Sequence, residues 1–134
     1  KARELTGRLN TDFEKINAIY RYIIDNILYD HGKMSTISTS YIPDINETFK
    51  SGKGICYDFS SLFAAMLRSA GIPAKLVKGY TDNAVGYHAW NEVYDSAAGS
   101  WVTIDTTYDS QIKASGAAFT MIKDSGSYSK LYEY

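Results

Sequence analysis

Cys56, His88 and Asp105 are the residues whose types and order along the chain could do covalent chemistry. A cysteine is a strong nucleophile only as the thiolate, so a reactive one needs nearby positive charge and a base within hydrogen-bond reach. Cys56 follows Gly52-Lys53-Gly54-Ile55, a glycine-containing turn that delivers it to the start of a predicted helix. The amides at a helix N-terminus are unsatisfied donors and the macrodipole adds partial positive charge there, and both favour a thiolate. His88 stands inside Tyr87-His88-Ala89-Trp90-Asn91-Glu92-Val93-Tyr94, a strand pattern that would hold an imidazole base on a rigid element. Asp105 interrupts Trp101-Val102-Thr103-Ile104-Asp105-Thr106-Thr107, where an aspartate is disfavoured and a buried carboxylate needs a partner. A neighbouring strand that presents His88 would supply that partner, and the carboxylate would fix the imidazole tautomer and stabilise the imidazolium. Each residue also has a plainer reading. A lone cysteine is usually a small buried hydrophobe, a strand histidine can be half-buried, and an aspartate at a strand end can face water. The three together, each in the right kind of element, favour nucleophilic acyl chemistry. The second histidine, His31, lies beside Asp30 in a loop and reads as surface or loop packing.

The elements that must position these side chains follow from hydrophobic periodicity. Phe13, Ile16, Ile19, Tyr20, Ile23, Ile24, Ile27 and Leu28 form one helical stripe over 11–28, and Thr11 with Glu14 has capping-box spacing. Residues 30–53 lack a period and contain Pro43. A short helical turn is expected around Asn46–Lys50, with loop elsewhere, serving either as a binding or lid segment or as a variable surface excursion. A second helix is predicted from Cys56 to Ala70, with Phe59, Leu62, Phe63, Met66, Leu67 and Ala70 on its buried face; Gly71 and Pro73 end it. Residues 74–81, 86–95 and 100–107 then read as three strands joined by short turns, an antiparallel meander. Ala117–Ile122 is expected to add a short strand. Helices segregated from an antiparallel sheet make an α+β fold, in one domain spanning 1–134 with its core at about 11–109.

Composition bounds the function. The net charge of −1 gives no basic footprint for nucleic acid, and no apolar run approaches the length of a membrane span. One cysteine permits no disulfide within the chain. Twelve tyrosines and two tryptophans suit strand packing and, secondarily, an aromatic substrate surface. The sequence begins at Lys1 rather than Met and is read as an excised domain or a processed form.

Four blocks, in order, carry a family resemblance. Gly54-Ile55-Cys56-Tyr57-Asp58-Phe59-Ser60 resembles the cysteine motif of the transglutaminase-like superfamily. Ala70-Gly71-Ile72-Pro73-Ala74-Lys75 through Val77-Lys78-Gly79-Tyr80 resembles its link between helix and sheet. His88 to Tyr94 resembles its histidine motif, and Trp101 with Asp105-Thr106-Thr107 its aspartate motif. The resemblance implies a papain-like core with the nucleophile helix packed on the sheet, and a Cys56-His88-Asp105 triad acting through a thioester. The substrate it implies is a peptide or protein amide. It also implies an oxyanion hole, with the Cys56 amide as one donor. Family members draw the second donor from upstream of the cysteine, yet no glutamine or tryptophan precedes Cys56; Tyr41 is the candidate there, and Tyr57 and Trp90 are further oxyanion or substrate-cleft candidates. Lacking an EF-hand-type acidic pattern and paired Cys-x-x-Cys ligands, the chain is expected to use no metal and no cofactor. It looks like a compact microbial member of the kind often attached to secreted or surface proteins, so an extracellular or cell-surface location is expected. Whether water or an amine releases the acyl group stays open, making the activity either cysteine protease/amidase or protein-glutamine acyl transfer. The alternative is a non-catalytic binding or scaffold module that retains the fold.

Overall fold

The structure is a computed structural model that describes residues 1–36, 38 and 40–134. A short helix α1 (Ala2–Thr6) leads into α2 (Asp12–Asn26). Thr11 caps α2: its Oγ1 accepts the Glu14 N–H and donates to Glu14 Oε1, so the Glu14 side chain reaches the Thr11 hydroxyl and not the backbone N–H of a full capping box. Ile16, Ile19, Tyr20, Ile23, Ile24 and Ile27 of its stripe are buried, while Phe13 and Leu28 at the two ends are exposed.

The segment expected to be mostly loop has more structure than its composition suggests. Strand β1 (Leu28–Tyr29) is followed by a one-turn helix α3 (His31–Met34) and by α4 (Ile45–Ser51), which contains the expected Asn46–Lys50 turn. Asp44 caps α4 by accepting the N–H groups of Asn46 and Glu47. Strand β2 (Lys53–Gly54) pairs in parallel with β1, so Leu28 and Asp30 donate to the carbonyls of Gly52 and Gly54. This pairing fixes the end of α2 beside the chain entering α5 (Cys56–Ser69). Positions 37 and 39 of the predicted loop lie outside the described residues.

Helix α5 packs on the sheet and touches α2, α4 and α6 (Thr106–Ser115). Phe59, Phe63 and Leu67 on its inner face are fully buried, a contribution of about 1.5–3 kcal/mol each. At its end the Arg68 guanidinium donates to the carbonyls of Ala74 and Tyr134, tying the helix to the sheet.

The predicted meander is present as β3 (Ala74–Thr81), β4 (His88–Asp95) and β5 (Ser100–Ile104), antiparallel in the sheet order β6-β5-β4-β3-β7. Three boundaries differ. Strand β4 starts at His88 rather than at 86. Strand β5 ends at Ile104 rather than 107, because Asp105 starts α6. The strand expected over Ala117–Ile122 is reduced to β6 (Ile122–Lys123). A further strand, β7 (Tyr128–Glu133), pairs with the free edge of β3. Among the described residues no helix is long and apolar enough to cross a membrane.

Candidate active site

Cys56 is the first residue of α5 and is partly accessible. No side chain caps this helix start, so the amides of its first turn are free to face a ligand. Asp58, three residues past the N-cap, reaches back to accept the Ile55 N–H at 2.9 Å. That carboxylate is fully buried. It also takes a 2.9 Å contact from Lys33 Nζ and the hydroxyl proton of Tyr41 at 2.5 Å. Asp58 therefore holds Lys33 and Tyr41 against the nucleophile turn. Gly54 is needed for the same approach, since a Cβ there would lie 2.5 Å from the Asp58 Cβ.

His88 is the first residue of β4, opposite Gly79 of β3. Its Nε2 lies 2.8 Å from Asp105 Oδ2. With Nε2 committed to the carboxylate, Nδ1 is the ring nitrogen that Asp105 does not engage. Burial pushes the imidazole pKa down, but the hydrogen bond and charge of Asp105, together with the neighbouring Cys56, outweigh it and raise the value from 6.5 to about 10. Trp90 stacks on His88, with ring centroids 6.2 Å apart and 23° between planes.

Asp105 is fully buried, but not in mid-strand as the sequence suggests. It is the N-cap of α6, where Oδ1 accepts the Tyr108 N–H at 3.1 Å. Oδ2 accepts from the Tyr128 hydroxyl at 2.9 Å as well as meeting His88. The carboxylate is thus held by β4, β7 and α6 at once. Burial first, and then the Asp105 charge, push the Tyr128 phenol pKa up, so Tyr128 keeps the proton it donates.

Cys56 and His88 face two adjoining cavities. One, of about 690 Å³, is bordered by Tyr29, His31, Asp82, Asn83, Thr107 and Gln111. The other, of about 240 Å³, is bordered by Tyr41, Tyr57, Lys78 and Ala89. Met34 and Tyr87 border both, which makes one cleft crossing the thiol. Such a cleft can take a chain on each side of a reacting carbonyl.

Sequence reasoning placed the further candidates unevenly. Tyr57 does line the cleft. Tyr41 lines it too, but its hydroxyl proton goes to Asp58, so it is a wall of the site and not a free oxyanion donor. Trp90 does not line the cleft; at 1% exposure it is packing beneath His88 and against Tyr128. Asp58, Lys33 and Tyr128 were not foreseen. Only Asp58 had a signal, its spacing of three from the N-cap. His31, read as surface or loop packing, meets the Tyr29 ring edge-on and borders the larger cavity.

Gly79 supports the His88–Asp105 pair from behind. A Cβ at this position would meet the Ser129 carbonyl oxygen at 2.0 Å and the Trp90 ring at 3.0 Å. Gly79→Ala should push β7 outward, destabilise the fold by about 1–3 kcal/mol and loosen the Tyr128–Asp105 contact. Urea denaturation of the variant checks the first effect.

The chain belongs to the transglutaminase-like superfamily, whose family model matches residues 1–106. It is 34% identical over 128 residues to the uncharacterized protein YebA of Bacillus subtilis, covering 80% of this chain and 17% of that protein. It is 32% identical over 120 residues to human kyphoscoliosis peptidase, again covering 80% of this chain and 17% of that protein. The chain thus spans about a sixth of the length of both these relatives. Among solved structures, a candidate cysteine protease from Cytophaga hutchinsonii superposes with a TM-score of 0.72 at 25% identity, over 99% of this chain and 40% of that one. Legionella pneumophila LapG, in an EGTA-treated form, has the same fold: its TM-score is 0.72 at 14% identity, covering 99% of this chain and 67% of LapG. LapG is also known in a calcium-bound form. Among the described residues of this chain, no group of three or more His, Cys, Asp or Glu side chains is placed to hold a metal ion.

Proposed function

We propose that this chain is a thiol acyl-transfer domain acting on peptide or protein amides, with Cys56 as nucleophile, His88 as general acid and base, and Asp105 as orienting carboxylate. The observation that carries the reading is the 2.8 Å His88–Asp105 contact, set beside a cysteine at an uncapped helix start in a shared cleft. The Cys56 thiolate adds to the amide carbonyl carbon, and the oxyanion forms within reach of the α5 first-turn amides. As the C–N bond breaks, the His88 imidazolium gives its proton to the leaving amine and a thioester remains on Cys56. Water or an amine then attacks the thioester, His88 takes the proton of the attacking group, and the thiolate is released as part of the regenerated ion pair. Water makes the reaction proteolysis or amide hydrolysis; an amine makes it acyl transfer. The family model and the similarity to a cysteine protease fold support this class of chemistry. So does a 35% identity over 72 residues to a Pseudomonas aeruginosa protein-glutamine gamma-glutamyltransferase, although that match covers 45% of this chain and 11% of that protein.

The test is to trap the acyl-enzyme. Incubation with a peptidyl p-nitrophenyl ester should release a burst of nitrophenol and add the acyl mass to the peptide containing Cys56, by mass spectrometry. Addition of an amine should then partition the product between acid and amide. Absence of a burst, or acylation elsewhere in a Cys56→Ala variant at the same rate, would leave a binding module that keeps the fold.

A further inference from the structure

The smaller cavity contains an ion that the reaction does not use. Lys78 of β3 is half-buried beside Cys56, Tyr57 and Ala89. Its ammonium stands 3.7 Å from the Tyr57 ring centroid and 5.7 Å from that of Tyr134. Among the described residues no carboxylate oxygen lies within 4.0 Å of it. The other lysines near it are paired. Lys75 and Lys130 share Glu92 and Glu133, and Lys33 meets Asp58. Ring faces offset only part of the cost of withdrawing an ammonium from water. An anion entering the cavity would supply what is missing. The larger cavity has the opposite character, with Asp82 on its wall and no lysine or arginine among its described lining residues. Exposed Tyr87, Tyr132 and Tyr134 stand around the Lys78 side, and Tyr132 is its cross-strand neighbour on β7. These rings supply flat apolar area for a chain approaching the ammonium.

We propose that Lys78 is a specificity-determining residue that binds a carboxylate of the substrate, an acidic peptide side chain close to the amide attacked by Cys56. The inference rests on the acyl-transfer reading of Cys56 and names the substrate class of that same site. The alternative is that Lys78 only packs on Tyr57.

Two reagents separate these. Iodoacetyl-glutamate α-amide and iodoacetyl-glutamine α-amide have the same shape and differ by one charge. At about pH 6, where the thiolate–imidazolium pair would react and free thiols scarcely do, the glutamate reagent should alkylate Cys56 about tenfold faster than the glutamine reagent. About 0.5 M salt should erode that ratio. Lys78→Met should reduce it to about twofold, the remainder reflecting the His88 imidazolium, while Lys78→Arg should preserve it. Iodoacetamide, which carries no charge, gives the intrinsic reactivity of Cys56 in each protein, and its acid-side labelling of the wild type and both variants shows that the site is intact in each. A wild-type ratio near one, or a ratio that survives in Lys78→Met, overturns the proposal while leaving the acyl-transfer reading in place. If iodoacetamide does not label wild-type Cys56 at this pH any faster than free cysteine, the acyl-transfer reading falls and takes this inference with it.

Discussion

His88→Ala should lower kcat/KM for amide substrates by about 10³-fold or more, the range expected for loss of a general acid–base that also activates the nucleophile. In the proposed mechanism the imidazole has two duties, holding the Cys56 thiolate and protonating the leaving amine, and alanine can do neither. An activated ester with a good leaving group needs no proton donor, so its loss of rate should be smaller than that of an amide. That difference separates the two duties. The same residue sets a pH dependence of stability. Its pKa is raised from 6.5 to about 10 by Asp105 and Cys56 against the effect of burial. The imidazolium therefore favours the folded state fully below about pH 6.5, and this contribution is lost as pH rises through about 10. Wild-type stability measured relative to His88→Ala should accordingly fall across that window, as read by urea midpoints at successive pH values.

Asp105→Ala should be the more damaging substitution, because activity and fold fail together. The carboxylate accepts from His88, Tyr128 and the α6 amide of Tyr108 within a fully buried site. Loss of the helix cap costs about 1 kcal/mol, and leaving buried donors without an acceptor costs about 1–3 kcal/mol more. Acylation should drop by about 10²–10⁴-fold as the imidazole loses its orientation and its counter-charge. Asp105→Asn is the informative companion. An asparagine still caps α6, so most of the stability should return. Its neutral side chain no longer stabilises the imidazolium, so activity should remain below wild type. Equal recovery of both would mean that Asp105 acts on the fold alone.

Much of this arrangement was legible in the sequence because the elements that carry it are amphipathic. The stripes of α2 and α5 and the runs of Val, Ile, Tyr, Trp and Thr in β3–β5, set off by turn residues, are strong local patterns, and the glycine turn before Cys56 marks a helix start. Asp105 was singled out for the wrong local reason. Its surroundings read as continuous strand because Thr106 and Thr107 are β-branched, whereas the aspartate caps a helix whose inner face is polar. That face buries Thr106, Thr107, Asp109 and Ser110, so no apolar stripe announced it. Asp109 is held there by the Tyr20 hydroxyl and Lys123, partners 89 and 14 residues away that no local pattern connects. Strand β7 was missed for a related reason. It is an edge strand with nearly all of its side chains exposed, so it lacks the alternation of a half-buried strand. Yet it supplies Tyr128 to the site. The parallel β1–β2 pair is equally silent, being two residues on each side joined only through space. Trp90, expected among the oxyanion or substrate-cleft residues, is turned by its place on β4 beneath the imidazole instead of into the cleft.

The proposed chemistry requires that Cys56 and His88 form a thiolate–imidazolium pair ready to attack an amide. The measurement that tests it most directly is the rate of Cys56 alkylation by iodoacetamide across pH, in the wild type and in His88→Ala. Rapid alkylation of the wild type is expected well below the free-thiol value of about 8.5, with loss of this acid-side reactivity in His88→Ala. Identical profiles for the two proteins, both rising only near the free-cysteine value, or an inert Cys56, would contradict it.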